Sequence, residues 1–186
     1  MARLDIVHKE EVSNKTSELF KGIQAKLGLV PNMMKTMGHS SAVLEGYLNL
    51  SEALSKGTLG SKLGEMIALA VAQTNACDYC LSAHSLLGEK MAGISTNELL
   101  NARKGRSLNP KIQAALQFAL KLVEKQGQVN DQDVHEVIKA GYTQGQVAEI
   151  IAHVGLNIFT NYFNNTANTT IDFPEVKASN LEVGIE

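Results

Sequence analysis

Apolar residues recur along this chain every three to four positions, as at Ile112, Ala115, Leu116, Ala119, Leu120 and Val123, and again at Val147, Ile150, Ile151, Val154 and Ile158. That period belongs to helices that bury one face. No stretch of useful length alternates with period two, so no strand is expected. Start signals fall where the period begins. Ser95-x-x-Glu98 and Thr143-x-x-Gln146 fit capping boxes, and Asn109-Pro110 sets a cap before a proline at the first helical position. The pattern predicts helices over approximately residues 13–27, 32–38, 41–55, 61–74, 77–92, 96–103, 110–126, 131–139 and 143–165. Short breaks carrying Gly57, Gly60, Gly93, Gly105 or Gly127 separate most of them, and none is long or polar enough to be a flexible interdomain linker. The expectation is an all-α single domain, with 1–56 as a helical N-terminal arm, 57–170 as the core and 171–186 as an extended tail. That tail carries Pro174 and no helical period, which suits either a loose end or a strap over a neighbouring subunit.

Composition narrows the function. With 186 residues and 44% hydrophobic side chains, the chain has the size and apolar material for one buried core. Its formal charge is −2, from 17 basic and 19 acidic residues, and basic residues gather only in pairs such as Arg103-Lys104. No nucleic-acid partner is expected from such a surface. The opening MARLDIVHKEEV turns charged before a signal peptide could form, and the longest apolar run, Met66 to Ala72, is far short of a membrane span. A cytoplasmic location without a membrane partner follows as the expectation. Thiols there are kept reduced, so the chain's two cysteines, close together, point to catalysis, redox sensing or metal binding rather than a structural staple.

Those cysteines stand in Cys77-Asp78-Tyr79-Cys80, followed by His84. On a helix the three side chains share a wedge of about 60°. An imidazole one turn from a thiol can accept its proton, and a second thiol nearby can resolve an oxidised sulfur as a disulfide. Zinc would need four ligands; there is one cysteine pair, one well-placed histidine and only Glu65 or His153 to complete the set. Glu65 fits the redox chemistry if the chain bends. In a straight helix it would lie about 18 Å below Cys77 and on another face. Gln73-Thr74-Asn75-Ala76 offers the break, since Thr and Asn favour caps over helix interiors. An antiparallel hairpin folded there sets Glu65 opposite His84, where a carboxylate would orient the imidazole and raise its basicity.

The string Glu65, eleven residues, Cys77-x-x-Cys80, three residues, His84, within EMIALAVAQTNACDYCLSAH, resembles the alkylhydroperoxidase D (AhpD)-like branch of the carboxymuconolactone decarboxylase superfamily. The upstream LGLVPNMMKTMGHSSAVLEGYLNLSEAL and, more weakly, the downstream NIFTNYFNN are similar to peroxidase-related members of that group. The resemblance implies an AhpD-like helical fold, a homo-oligomer (trimer or hexamer), and thiol-dependent reduction of organic or hydrogen peroxides, with a thiol or dithiol as electron donor and no cofactor. It makes Cys80 the attacking thiol, Cys77 its resolving partner, and Glu65 and His84 the proton relay. Tyr79 departs from the best-studied branch, which has histidine before the second cysteine, so a weaker or rerouted relay and a different substrate are both open. Helix-dipole arguments favour Cys77 as nucleophile, being nearest the helix start; its i+4 neighbour His84 favours Cys80. The rival functions are a redox-sensing oligomer without turnover and a cofactor-free lactone decarboxylase, a branch that does not rely on a Cys-x-x-Cys pair. Among the other histidines, His8 and His135 read as surface residues, His39 as a loop or pocket residue, and His153 as a core residue more than a site residue. Asn161, Tyr162 and Asn164 are candidates for hydrogen bonds to a substrate or a subunit neighbour.

Overall fold

The computed structural model describes residues 1–178, and the remainder of the expected tail, 179–186, lies outside the described residues. Within them the chain is all helical: α1 (Asn14–Leu27), α2 (Asn32–Met37), α3 (Ser41–Ser55), α4 (Ser61–Thr74), α5 (Asp78–Lys90), α6 (Thr96–Arg103), α7 (Pro110–Glu124), α8 (Asp131–Lys139) and α9 (Gln144–Ala167), preceded by a 3₁₀ turn at Lys9–Glu11. The expected start signals do their work. Ser95 with Glu98 and Thr143 with Gln146 form reciprocal capping boxes, and Asn109 caps α7 ahead of Pro110. The 3₁₀ turn was not expected, because three residues are too few to show a period.

Helix α4 sits at the centre. Met66 through Gln73 are buried in succession, so this helix is enclosed on all sides, and α5, α6, α7 and α9 pack against it. The bend after α4 lies where Thr and Asn predicted it. Thr74 turns its hydroxyl back to the Ala70 carbonyl at 3.0 Å, Ala76 adopts a left-handed φ of 48°, and Cys77 caps the start of α5. A left-handed alanine costs about 1 kcal/mol, and the bend is held against that cost by α9. Asn75 Nδ2 donates to Asn161 Oδ1 at 3.0 Å, and Asn165 Nδ2 donates to the Asn75 carbonyl at 2.8 Å.

Residues 171–178 run as an extended strap across the chain's own α5, not loose. Asp172 accepts from Asn32 N at 2.8 Å and from the Tyr79 hydroxyl at 2.9 Å, while Phe173 meets the Tyr79 ring edge-on with centroids 5.6 Å apart. Further along, Val176 N donates to Ser82 Oγ, Ala178 N donates to Asp78 Oδ1, and the Lys177 carbonyl accepts from Arg103. An irregular segment must satisfy its backbone groups one by one, and here the polar side chains of α5 and α6 do so. No helix of the described residues is long and apolar enough to cross a membrane.

Candidate active site

The α4–α5 hairpin brings Glu65 and His84 together, Oε2 of the carboxylate lying 2.8 Å from Nδ1 of the ring. Burial works against a charged imidazole, but the adjacent Glu65 carboxylate and the nearby Cys80 sulfur outweigh it and raise the His84 pKa. On the other side of α5 the packing is tighter: a Cβ at Gly88 would stand 2.9 Å from Leu99 Cδ2 and 3.3 Å from Ile94 Cδ1, whereas Glu65 Cβ, at 3.8 Å, is at ordinary contact distance.

Both cysteines are free and buried. Cys77 occupies the N-cap, where its sulfur accepts from Cys80 N at 3.3 Å. The two thiols diverge electrostatically. Cys77 is pushed up by its hydrogen bond to Cys80 and by burial. Burial also opposes ionisation of Cys80, yet the Cys77 thiol, the His84 charge and the Asn164 and Asn161 amides overcome it and bring Cys80 down to about 7. Among the described residues no group of three or more His, Cys, Asp or Glu side chains is placed to hold a metal ion.

A cavity of about 160 Å³ opens on this hairpin, lined in part by Glu65, His84, His153, Tyr47 and Asn157. A model of the carboxymuconolactone decarboxylase family matches residues 41–125, from α3 to the end of α7. The fold is similar to that of a peroxidase-related protein with an alkylhydroperoxidase AhpD core from Ralstonia eutropha JMP134, at 25% identity and a TM-score of 0.81, with 92% of each chain covered. A peroxidase-related protein from Silicibacter sp. TM1040 follows at 23% identity and 0.80, and the debrominase Bmp8 at 21% and 0.74, each with 91% of both chains covered. No functionally curated protein matches the sequence. Over residues 41–125 the chain is similar to the carboxymuconolactone decarboxylase family, and its fold is AhpD-like. Proteins of this fold include peroxidase-related proteins and a debrominase, so the likeness supports an enzyme at family level.

In this AhpD-like chain further side chains stand beside the Glu65–His84 pair. Tyr47 of α3 lines the cavity, and burial together with the negative charge near Cys80 pushes its phenol up to about 12, so it remains an O–H donor. His153 of α9 stands in the cavity wall and not in the core; burial depresses its pKa, and its ring passes so close to α4 that a Cβ at Gly64 would come within 3.2 Å of Cε1. Asn164 Nδ2 lies 3.3 Å from Cys80 Sγ. His39, by contrast, bonds the Asp5 carbonyl through Nε2 at 2.9 Å and lines no part of this cavity. The Tyr79 hydroxyl accepts from Met33 N at 3.0 Å and donates to Asp172 at 2.9 Å, tying α5 to α2 and the strap. Tyr47 has no sequence signal beyond helical spacing. The asparagines had one, a run of amides on the apolar stripe of α9.

Proposed function

We propose that this protein is a thiol-dependent peroxidase in which Cys80 attacks the peroxide, Cys77 resolves the product and Glu65–His84 moves the proton. One observation carries it: a buried thiol lowered to about 7 stands one helical turn from an imidazole already held by a carboxylate at 2.8 Å. With Nδ1 engaged by Glu65, Nε2 is the nitrogen that exchanges the proton. The Cys80 thiolate attacks one peroxide oxygen; the S–O bond forms as the O–O bond breaks, and the leaving alkoxide takes the proton held on His84. Cys77 then attacks the sulfenic sulfur, forming the disulfide and releasing water. An external thiol or dithiol returns both cysteines to the reduced state. The peroxidase-related proteins of similar fold support this chemistry.

The protein is also proposed to assemble with copies of itself, as a trimer or hexamer. Ile151, Phe159 and Tyr162 leave large apolar surface on α9 exposed, and Leu50 does so on α3. Light scattering at micromolar concentration tests this, and a monomer would refute it.

The deciding experiment follows consumption of t-butyl or cumene hydroperoxide with a dithiol reductant, with Cys80→Ser as control. Turnover that disappears in the variant is the expected result. The debrominase has a structure in complex with 2,3,4-tribromopyrrole, so that compound serves as a counter-substrate. Debromination without peroxide consumption would overturn the proposal.

A further inference from the structure

Helix α9 buries a file of amides, Asn157, Asn161 and Asn164, where apolar residues would pack at lower cost. Each buried polar group needs a partner or a reason. Asn157 has one: its Nδ2 donates to the His153 carbonyl at 2.8 Å. The other two do not balance. Asn161 is fully buried, its Oδ1 is engaged by Asn75 Nδ2 at 3.0 Å, and its own Nδ2 has no partner. Asn164 Nδ2 donates to two sulfurs, Cys80 Sγ at 3.3 Å and Met33 Sδ at 3.1 Å, while its Oδ1 has no partner. Of the four buried side-chain polar atoms without a partner among the described residues, two belong to this pair, one helical turn apart and beside the reactive thiol.

The pair is oriented. Because Asn75 holds the Asn161 oxygen, the amide nitrogen must face the other way, and it is close enough to Cys80 to favour the thiolate. A buried anion draws more from a fixed N–H than from water, since the dipole costs nothing to reorganise. In the thiol form such donors gain little, sulfur being a weak acceptor. They gain most once charge, or an oxygen, is present at Cys80.

We propose that Asn161 and Asn164 form an amide cradle for the reacting group at Cys80, Asn164 donating to the thiolate and the unpartnered Nδ2 of Asn161 donating to the oxygen transferred from the peroxide. This deepens the peroxidase assignment and rests on it. When the thiolate attacks, sulfur is oxidised by two electrons, the peroxide is reduced, and the oxygen left on sulfur becomes a strong acceptor for the waiting N–H. Cys80 is then an oxygen site as well as a nucleophile. Asn164 Oδ1, which nothing engages, is the acceptor available to the O–H of the resulting sulfenic acid.

The test uses the full chain with Cys77→Ser, so that only Cys80 reacts and the sulfenic acid accumulates. Thiolate formation is read against pH from iodoacetamide alkylation and ultraviolet absorbance, and sulfenic-acid formation from single-turnover reaction with t-butyl hydroperoxide and a sulfenic-acid trap. Asn164→Ala should raise the titration midpoint by about one pH unit, cutting the thiolate present at neutral pH about fivefold. Asn161→Ala should slow sulfenic-acid formation about tenfold or more relative to alkylation measured where the thiol is fully ionised. A merely structural role would slow both reactions alike. Asn161→Leu, which keeps the branched shape and keeps water out, should show at least the loss seen with alanine. An unmoved midpoint in Asn164→Ala overturns the thiolate half, and an unchanged ratio of the two rates in both Asn161 variants overturns the oxygen half. If the parent forms no sulfenic acid, the peroxidase assignment and the oxygen half fall together, while the titration still decides the role of Asn164.

Discussion

Two junctions in this molecule bury polar side chains, and they treat them in opposite ways. Between α7 and α8, Asp133 is fully matched: it accepts from Lys125 at 2.7 Å, from Lys121 at 3.0 Å and from Asn130 N at 3.1 Å. Between the α4–α5 hairpin and α9, Asn161 Nδ2 and Asn164 Oδ1 have no partner, two free thiols are buried, and a histidine–glutamate pair faces a cavity. At the first junction no buried side-chain polar atom among the described residues is left without a partner. The second holds capacity in reserve, and reserve capacity beside a low-pKa thiol is what a reaction with an incoming oxygen requires. Buried polarity alone does not distinguish a working site from a structural clamp; unmatched buried polarity beside the Cys80 thiol is what the proposed reaction would use.

The largest effect should come from removing the nucleophile. Cys80→Ser is expected to lower steady-state peroxide consumption beyond about 10³-fold, whereas Cys77→Ser should allow one turnover and then stop, as measured by trapping the oxidised sulfur. The reverse pattern would hand the attack to Cys77. Next come Glu65→Gln and His84→Ala, each expected to reduce kcat/KM by about 10²–10⁴-fold. Since they serve one proton, the double variant should resemble the worse single one, and additive losses would show independent roles. The activity of the wild-type enzyme should rise with pH through about 7 as Cys80 ionises.

A smaller effect is expected at the strap. Tyr79→Phe removes the hydroxyl that joins Met33 N and Asp172, at a cost of about 1 kcal/mol or a few degrees in Tm. Turnover should stay within about twofold, and a displaced pH profile would restore Tyr79 to the relay. The smallest effect on turnover should come from the matched junction. Asp133→Asn should lower Tm without touching peroxide consumption. The Lys125 ammonium, the Asn130 backbone and the Lys121 ammonium hold the Asp133 carboxyl well below the usual carboxylate range. Its contribution to stability is therefore complete above about pH 4 and is lost as pH falls toward the depressed value. Acid melting curves of the variant should be flatter over that interval, and a parallel curve would show that Asp133 is not the group responsible.

Much of this was legible in the sequence because it is local. Helices α3, α4, α6 and α8 span the residues their apolar period indicated, and the bend at Thr74–Ala76 follows from residues that cap better than they propagate. Even the meeting of Glu65 and His84 could be worked out, since an antiparallel hairpin with a known bend pairs residues equidistant from it. Tertiary structure alone decided the rest. Asn164 meets Cys80 across 84 residues, and Tyr47 and His153 come from helices on either side of the hairpin in sequence. Which turn of α9 faces the thiol depends on how its side-chain ridges seat against α4 and α5, and no local period encodes that register. The strap is the same case: its backbone carries no pattern of its own, and its course over α5 is set by donors and acceptors at Asn32, Asp78, Tyr79, Ser82 and Arg103, which come together only once the helices have packed.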